Sequence, residues 1–391
     1  MYQDNLTFAK QQDKEDVLSH LRNRFHIPKD KDGNEWLYFT GNSLGLQPKS
    51  TQEYVNQELK DWANLGVEGH FEAKNPWLNY HEFLTDKMAK IVGAKPVEVV
   101  VMNTLTTNLH LLMVSFYRPT KTKYKIVIES DAFPSDRYAV ESQLKFHGFS
   151  SEDIIEWKPR KNEALLNIED LEEIVDTQGD EIALLLIGGV NYYTGQFLDL
   201  KRIAEIGHSK NCIVGIDFAH GAGNVQPNLH DSKVDFAAWC TYKYLNSGPG
   251  SLAGLFVHEK HSKNKDLPRF AGWWNHNKET RFNMRQPFDV MEGAEGWQLS
   301  NPPILSMAAI KASLDLFDEV GMDALREKSE KLTAYFEFLI NNIDSNDIRI
   351  ITPKNPKERG CQLSIQLKNA DKSLHKKLTE NNIITDWREP D

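Results

Sequence analysis

Cysteine is scarce, with only Cys212, Cys240 and Cys361 in 391 residues. No CxxC pair occurs, so neither a disulfide framework nor a thiolate metal knuckle is indicated. Three sparse thiols suit reduced core side chains and a cytoplasmic setting. Long hydrophobic runs are also missing. The longest, residues 182–190 (IALLLIGGV), is far short of the ~20 residues that cross a bilayer and fits a buried strand. Positive charge is in deficit, since 46 lysines and arginines face 56 acidic residues for a net charge of −10, which argues against a nucleic-acid surface. The opening residues, MYQDNLTFAKQQDKEDVL, are polar and of mixed charge, and read as neither a secretory nor a transit peptide. Repeats and low-complexity tracts are absent. His258, His261 and His276 lack a metal-site arrangement, so no metal is expected. Gly221-Ala222-Gly223 starts like a dinucleotide fingerprint, but Gln226 stands where its third glycine belongs.

What is present is an ordinary globular composition, 40% hydrophobic and 26% charged, in a chain long enough for a large unit and a smaller one. Between about residues 95 and 260, apolar runs alternate with helical patterns. Strands are expected at 124–128, 182–187, 212–217, 236–240 and 252–257, with helices from about Arg137 and over 199–210. Continuous apolar strands separated by helices imply a mainly parallel sheet covered on both faces, an α/β architecture. After Pro302-Pro303 the pattern changes to helices at 304–319 and 322–342 and short strands near 348–352 and 361–367, a smaller α+β unit. The expected division is 1–40 as a segment packing with the small domain, 41–300 as the large domain and 301–391 as the small one.

In open parallel sheets, ligands gather where strands end and helices begin. Lys243 falls at such a place, just past the strand at 236–240. In WCTYKYLNSGPG (239–250) it sits between Tyr242 and Tyr244, in apolar and turn-forming company unusual for a lysine. A desolvated lysine can serve as an amine nucleophile, most commonly in a Schiff base with pyridoxal phosphate. That cofactor needs an acid opposite its pyridine nitrogen. Asp217 ends the preceding strand and can supply it. The phosphate needs N–H groups and hydroxyls at a helix start, which Leu105, Thr106 and Thr107 can give. Tyr242 can add a phenolic hydrogen bond. Taken singly, a surface lysine, a capping aspartate and a threonine cap each have plainer uses; their shared topology is what points to one site.

Eight segments then carry a resemblance: GNSLG (41–45), MNTLTTNLHLL (102–112), SDAFPSDRYA (130–139), YYTGQ (192–196), GIDFAHGAGN (215–224), WCTYKYLNSGPG (239–250), RFAGWW (269–274) and LSNPPIL (299–305). In order and spacing they are similar to the kynureninases, over roughly residues 36–310. The resemblance implies the aspartate-aminotransferase fold, with a mainly parallel seven-stranded sheet in a large domain binding pyridoxal phosphate, plus the small α+β domain. It implies a homodimer with shared active sites, hydrolysing L-kynurenine or 3-hydroxykynurenine to anthranilate or 3-hydroxyanthranilate and L-alanine. Carried over by residue, Lys243 holds the aldimine and Asp217 the pyridine nitrogen. Leu105 and Thr106 bind phosphate, and Phe133 stacks on the ring, followed by Pro134, Ser135 and Asp136. His220 and Tyr242 complete the cofactor site, with Trp273 and Asn301 coming in part from the neighbouring subunit. Ser43, His70 and Asn301 match the substrate pocket. Tyr242 is the expected proton donor to the Cβ carbanion, while Trp274 reads as a core or interface aromatic.

Two departures accompany the resemblance. Gly188-Gly189 stands where many kynureninases carry a serine, which removes one polar contact to the cofactor. The family's small domain also continues into an R-V-A-P-x-P-L-Y-N strand whose arginine holds the substrate carboxylate. This sequence stops at Asp391, and Arg388 precedes that motif. The expectation is a truncated small domain and weak turnover of kynurenine. Rival readings are another lyase of the same cofactor class, such as a cysteine desulfurase, or an inactive binding protein on the same fold. A desulfurase needs histidine before the lysine, where Tyr242 stands, and a mobile catalytic cysteine.

Overall fold

The computed structural model describes residues 2–284, 287–368 and 371–389. Its strands, in chain order, are β1 (Leu37–Tyr38), β2 (Val99–Met102), β3 (Lys125–Glu129), β4 (Ile154–Trp157), β5 (Ile182–Gly188), β6 (Ile213–Asp217), β7 (Phe236–Cys240), β8 (Ala253–Val257), β9 (Ile348–Ile350), β10 (Ile365–Leu367) and β11 (Ile383–Ile384). Seven of them form one sheet in the order β2-β8-β7-β6-β5-β3-β4. Only β8 runs against both of its neighbours; the other pairings are parallel. The expected α/β class and seven-stranded, mainly parallel sheet are what the chain adopts.

The sheet forms because its strands are apolar on both sides. Successive side chains alternate faces, so Val127, Leu185 and Ile216 enter one core while Ile126, Leu184 and Leu186 enter the other. Helices Glu82–Val92, Leu200–Ser209 and Ile304–Val320 cover the first face, and Leu105–Phe116 and Pro134–Phe146 cover the second. The last of these begins at Pro134, three residues before the expected start. Proline is suited to a first helical position, where its missing N–H would have no partner inside the helix. Trp274 is buried, as expected, under the Arg281 guanidinium, 4.2 Å from its ring. Beyond the sheet, β1 pairs in parallel with β11, and β9 pairs antiparallel with β10. Helices Ile304–Val320 and Met322–Asn341 connect the two regions. Among the described residues no helix is long and apolar enough to cross a membrane.

One buried charge holds the far edge of the sheet together. Asp235, just before β7, accepts hydrogen bonds from His208 (2.9 Å), His261 (2.8 Å) and the Val214 N–H (2.7 Å), and lies 2.7 Å from the Lys260 ammonium. Burial alone would raise its carboxyl, yet the bonds from His208 and His261 and the Lys260 charge hold it well below the usual carboxylate range. A folded carboxyl that binds its proton more weakly than an unfolded one contributes its full stability above about pH 4 and loses it as acid protonates the folded form. Asp235→Asn should therefore cost roughly 3–5 kcal/mol at neutral pH, as for a broken buried pair. The variant should also lose less stability than the parent on further acidification, and urea melts at neutral and acidic pH measure both effects. Parallel pH profiles would show that Asp235 is not the acid-sensitive group.

Candidate active site

Met102, Glu129, Gly188, Asp217 and Cys240 end five strands at one edge of the sheet, and the loops that follow enclose a cavity of about 370 Å³. The first loop turns through Asn103, at φ 48°, into helix Leu105–Phe116. Thr104 is the residue before this helix, but its side chain does not cap it; its hydroxyl lies 3.1 Å from that of Thr107. The opening N–H groups beside Leu105 and Thr106, both lining the cavity, are thus left for an anion, with the helix dipole adding to the attraction.

Lys243 reaches the same cavity from the loop after β7. That loop closes through a Ser247 N–H to Thr241 carbonyl bond (3.1 Å) and two left-handed glycines, Gly248 and Gly250. The GNSLG segment packs on it: Gly45 N–H donates to the Tyr242 carbonyl at 2.8 Å, and a Cβ on Gly45 would stand 2.3 Å from the Lys243 carbonyl oxygen. Only glycine permits that approach, which brings Asn42 and Ser43 into the cavity wall. The Lys243 Nζ lies 2.9 Å from His220 Nε2 and 5.8 Å from the centre of the Phe133 ring. Burial and the charges of Lys243 and Arg388 hold His220 well below the usual imidazole range, so it stays neutral and accepts from the ammonium. Its buried Nδ1 has no partner among the described residues.

Asp217 and Asp136 meet at the floor of the cavity. Asp217 Oδ1 accepts from Ala219 N–H at 2.7 Å, and a further hydrogen bond joins the two carboxyls. Burial raises both groups. For Asp136 the charge of Asp217 adds to burial and drives it well above the carboxylate range, whereas for Asp217 the Asp136 hydrogen bond, the Ala219 N–H and Lys243 oppose the rise. Two buried carboxylates in contact cannot both be charged. Asp136 therefore carries the proton and donates it to an ionised Asp217. Tyr242 is pushed well above its usual range by burial and by neighbouring Cys240, which keeps its hydroxyl protonated.

Of the residues expected from sequence, Ser43, Leu105, Thr106, Phe133, Ser135, Asp136, Asp217, His220, Tyr242 and Lys243 line this one cavity. Pro134 starts the helix behind Phe133. His70, Trp273 and Asn301 are not in its wall. His70 bonds the Val67 carbonyl (2.9 Å) and meets Trp77 edge-on, and Trp273 stacks edge-on against Trp274 and Phe282. Sequence reasoning missed Glu129, Asp131, Asn191 and Tyr192 and set Arg388 aside, yet all five are in the lining. Arg388 pairs with Asp386 at 2.6 Å and sits 5.5 Å from the Tyr192 ring, while Asn42 donates to the same aspartate at 3.3 Å. Gly188 and Gly189 also acquire packing reasons. A Cβ on Gly188 would stand 2.7 Å from Glu129 Oε1, and one on Gly189 would stand 2.4 Å from the Phe218 ring. Elsewhere, Glu98, His230 and His258 bring ligand-type atoms within 4.8 Å. Those atoms are already engaged, Glu98 with His230 and the Glu259 N–H, and His258 with the His230 carbonyl and the Lys260 N–H.

Residues 37–386 match the family model of the class-V aminotransferases. The kynureninase of Myxococcus xanthus is 54% identical over 392 residues, covering 100% of this chain and 92% of the relative. That of Nematostella vectensis is 46% identical over 407 residues, covering 98% and 88%. Among solved structures, a cysteine desulfurase from Thermococcus onnurineus superimposes with a TM-score of 0.72 at 17% identity, covering 98% of this chain and 88% of the other. The cysteine desulfurase CsdA from Escherichia coli gives 0.74 at 16% identity, covering 94% and 86%. At that identity the likeness to desulfurases is one of fold alone, whereas the sequence likeness spans the whole chain at about half identity. By fold, by cavity and by relatives, the chain belongs to the kynureninase family of the class-V aminotransferases.

Proposed function

We propose that this cavity is where the chain, a pyridoxal-phosphate-dependent kynureninase, cleaves the Cβ–Cγ bond of L-kynurenine with water to give anthranilate and L-alanine. The observation that carries the reading is the convergence, in one cavity, of Lys243, a buried pair of carboxyls and an uncapped helix start. The residues fit the cofactor on their own chemistry. The helix start suits its phosphate, the ionised Asp217 suits a protonated pyridine nitrogen, Phe133 can cover a ring face, and the orphaned His220 Nδ1 is a buried group in want of a partner. When bound, pyridoxal phosphate supplies an electron sink for charge released at the substrate's α-carbon.

The chain's own groups do the rest. Lys243 Nζ, as a neutral amine, can take the proton from the substrate's α-carbon, with neutral His220 steering it from 2.9 Å away. Asp217 would hold the cofactor's ring nitrogen with its negative charge, because Asp136, not Asp217, carries the shared proton. Tyr242 keeps its proton through burial and delivers it to Cβ as the anthraniloyl carbon departs. Ser43, in the cavity lining, is left to contact the substrate.

A second copy of the chain completes the site in this reading, and residence in the cytoplasm goes with it, in keeping with the free thiols of Cys212 and Cys240. Support for the second copy comes from His70, Trp273 and Asn301, which lie outside the cavity, and from exposed apolar side chains around them: Trp62, Val67 and Phe71 near His70, Phe282 against Trp273. The test uses two variants, Lys243→Ala and Trp273→Ala, each severely impaired alone. Co-expressed, they should recover about a quarter of the parent's kynurenine hydrolysis, since half the dimers are mixed and half their sites are intact. Anthranilate and alanine should appear in equal amounts. No recovery would mean that each site belongs to a single chain, and no anthranilate from the parent would overturn the function itself.

A further inference from the structure

Glu129 is a buried acid that the mechanism above does not use. It ends β3, a strand otherwise made of Lys125, Ile126, Val127 and Ile128, and only 4% of it is exposed. Its Oε2 accepts from the Gly188 N–H at 2.9 Å. Its Oε1 occupies the space into which a Cβ on Gly188 would project, 2.7 Å away. Gly188 is in turn the register partner of Asp217, so the ends of β3, β5 and β6 set Glu129, a glycine and Asp217 side by side at the cavity floor. Asp136, in the first turn of the helix after β3, completes a group of three carboxyls around one spot.

The charged groups around Glu129 are accounted for. Asp217 from β6 and Asp136 from helix Pro134–Phe146 both act on it or feel it. Asp131 follows in its own loop, while Lys243, His220 and Arg388 stand across the cavity. On the outer strand its register partner is the uncharged Trp157, and Glu156 is spent on Arg137 and Lys158. No lysine or arginine among the described residues pairs with Glu129. When it ionises, only backbone N–H groups favour the charge, and no cation neutralises it.

We infer that Glu129 is a positioning residue of the ring-nitrogen site: seated on the Gly188 N–H in space that a side chain at 188 would crowd, its carboxyl sets through Asp217 the net negative charge at the cavity floor. Neutral, it leaves Asp217 as the one charge there. Ionised, it adds a second negative charge that tightens the hold on protons at the cofactor. Burial, with the Asp217 charge adding to it, pushes the Glu129 carboxyl up to about 7, so the two forms exchange across the neutral range. The glycine at 188 then has a positive use, as the seat of this acid.

The inference rests on Asp217 facing the ring nitrogen, and the experiment separates the two ideas. The holoenzyme's cofactor absorbance is titrated with pH, without substrate, in the parent and in Glu129→Gln, Gly188→Ala, Asp217→Asn and the Glu129→Gln/Gly188→Ala double variant. Glutamine keeps an acceptor for the Gly188 N–H but cannot ionise, so the midpoint should move to lower pH by roughly one unit. Alanine at 188 reaches the same carboxyl by another route, displacing it, and should move the midpoint in the same direction. The double variant should move no further than Glu129→Gln. Unchanged midpoints in both single variants, with Asp217→Asn shifted, would overturn the role of Glu129 alone. An unchanged midpoint in Asp217→Asn would remove the placement of Asp217 and this inference with it.

Discussion

Lys243→Ala should reduce kynurenine hydrolysis by at least about a thousandfold while leaving the protein folded, since both the attachment point of the cofactor and the base for the α-proton are removed together. The expectation follows from where the amine sits. Its Nζ is 2.9 Å from a neutral imidazole and 5.8 Å from the Phe133 ring centre, inside a cavity whose other polar groups converge on it. Arginine at the same place should be no better than alanine, because a guanidinium does not lose its proton and cannot act as an amine. Borohydride treatment of the parent should fix the cofactor to the peptide that contains Lys243, and the alanine variant should take up no label. His220 gives an independent reading. Its imidazole is held low first by burial and then by the Lys243 and Arg388 charges, so removing the lysine should move its titration upward, measurable by NMR. Label on a different lysine, or an unmoved His220, would displace Lys243 from its role.

The elements that the sequence made legible are those decided by short-range patterning. Phe236–Cys240 is a strand because five consecutive apolar residues suit burial on both faces, and helix Leu200–Ser209 shows its apolar face at regular spacing. Because Lys243 and Asp217 follow such strands, their meeting could be anticipated from topology alone. The helix starts at Pro134 rather than near Arg137 because a proline, which breaks helices elsewhere, is welcome at their first position. Glu129 left no trace in the sequence. A glutamate closing a strand looks like a solvated edge, and only the packing of three strand ends shows that it is enclosed. The share of Tyr192 and Arg388 in the cavity likewise depends on segments distant in sequence, one after β5 and one after β11. His70, Trp273 and Asn301 stay outside because the walls of the cavity in one chain do not include them.

Asp217→Asn and Asp136→Asn should differ sharply although the two residues touch. Asparagine at 217 can still accept from the Ala219 N–H, but it brings no charge to hold a proton on the ring nitrogen. The loss in kcat/KM should be roughly a hundredfold to ten-thousandfold, the scale of removing a preorganised electrostatic contact. Asparagine at 136 is a milder change. Because Asp136 carries the shared proton, its function toward Asp217 is that of a donor, and an amide N–H can donate in its place. Its kcat/KM should stay within about tenfold of the parent. Stability separates these effects from simple damage. Asp217→Asn removes a buried charge that desolvation disfavours, so the Tm should hold or rise while activity collapses. Thermal melts and steady-state kinetics on both variants test the assignment. Equal losses at 217 and 136 would place the proton on the wrong carboxyl. A fall in Tm that tracks the fall in activity at 217 would make Asp217 a structural residue, and its part in the chemistry would be lost.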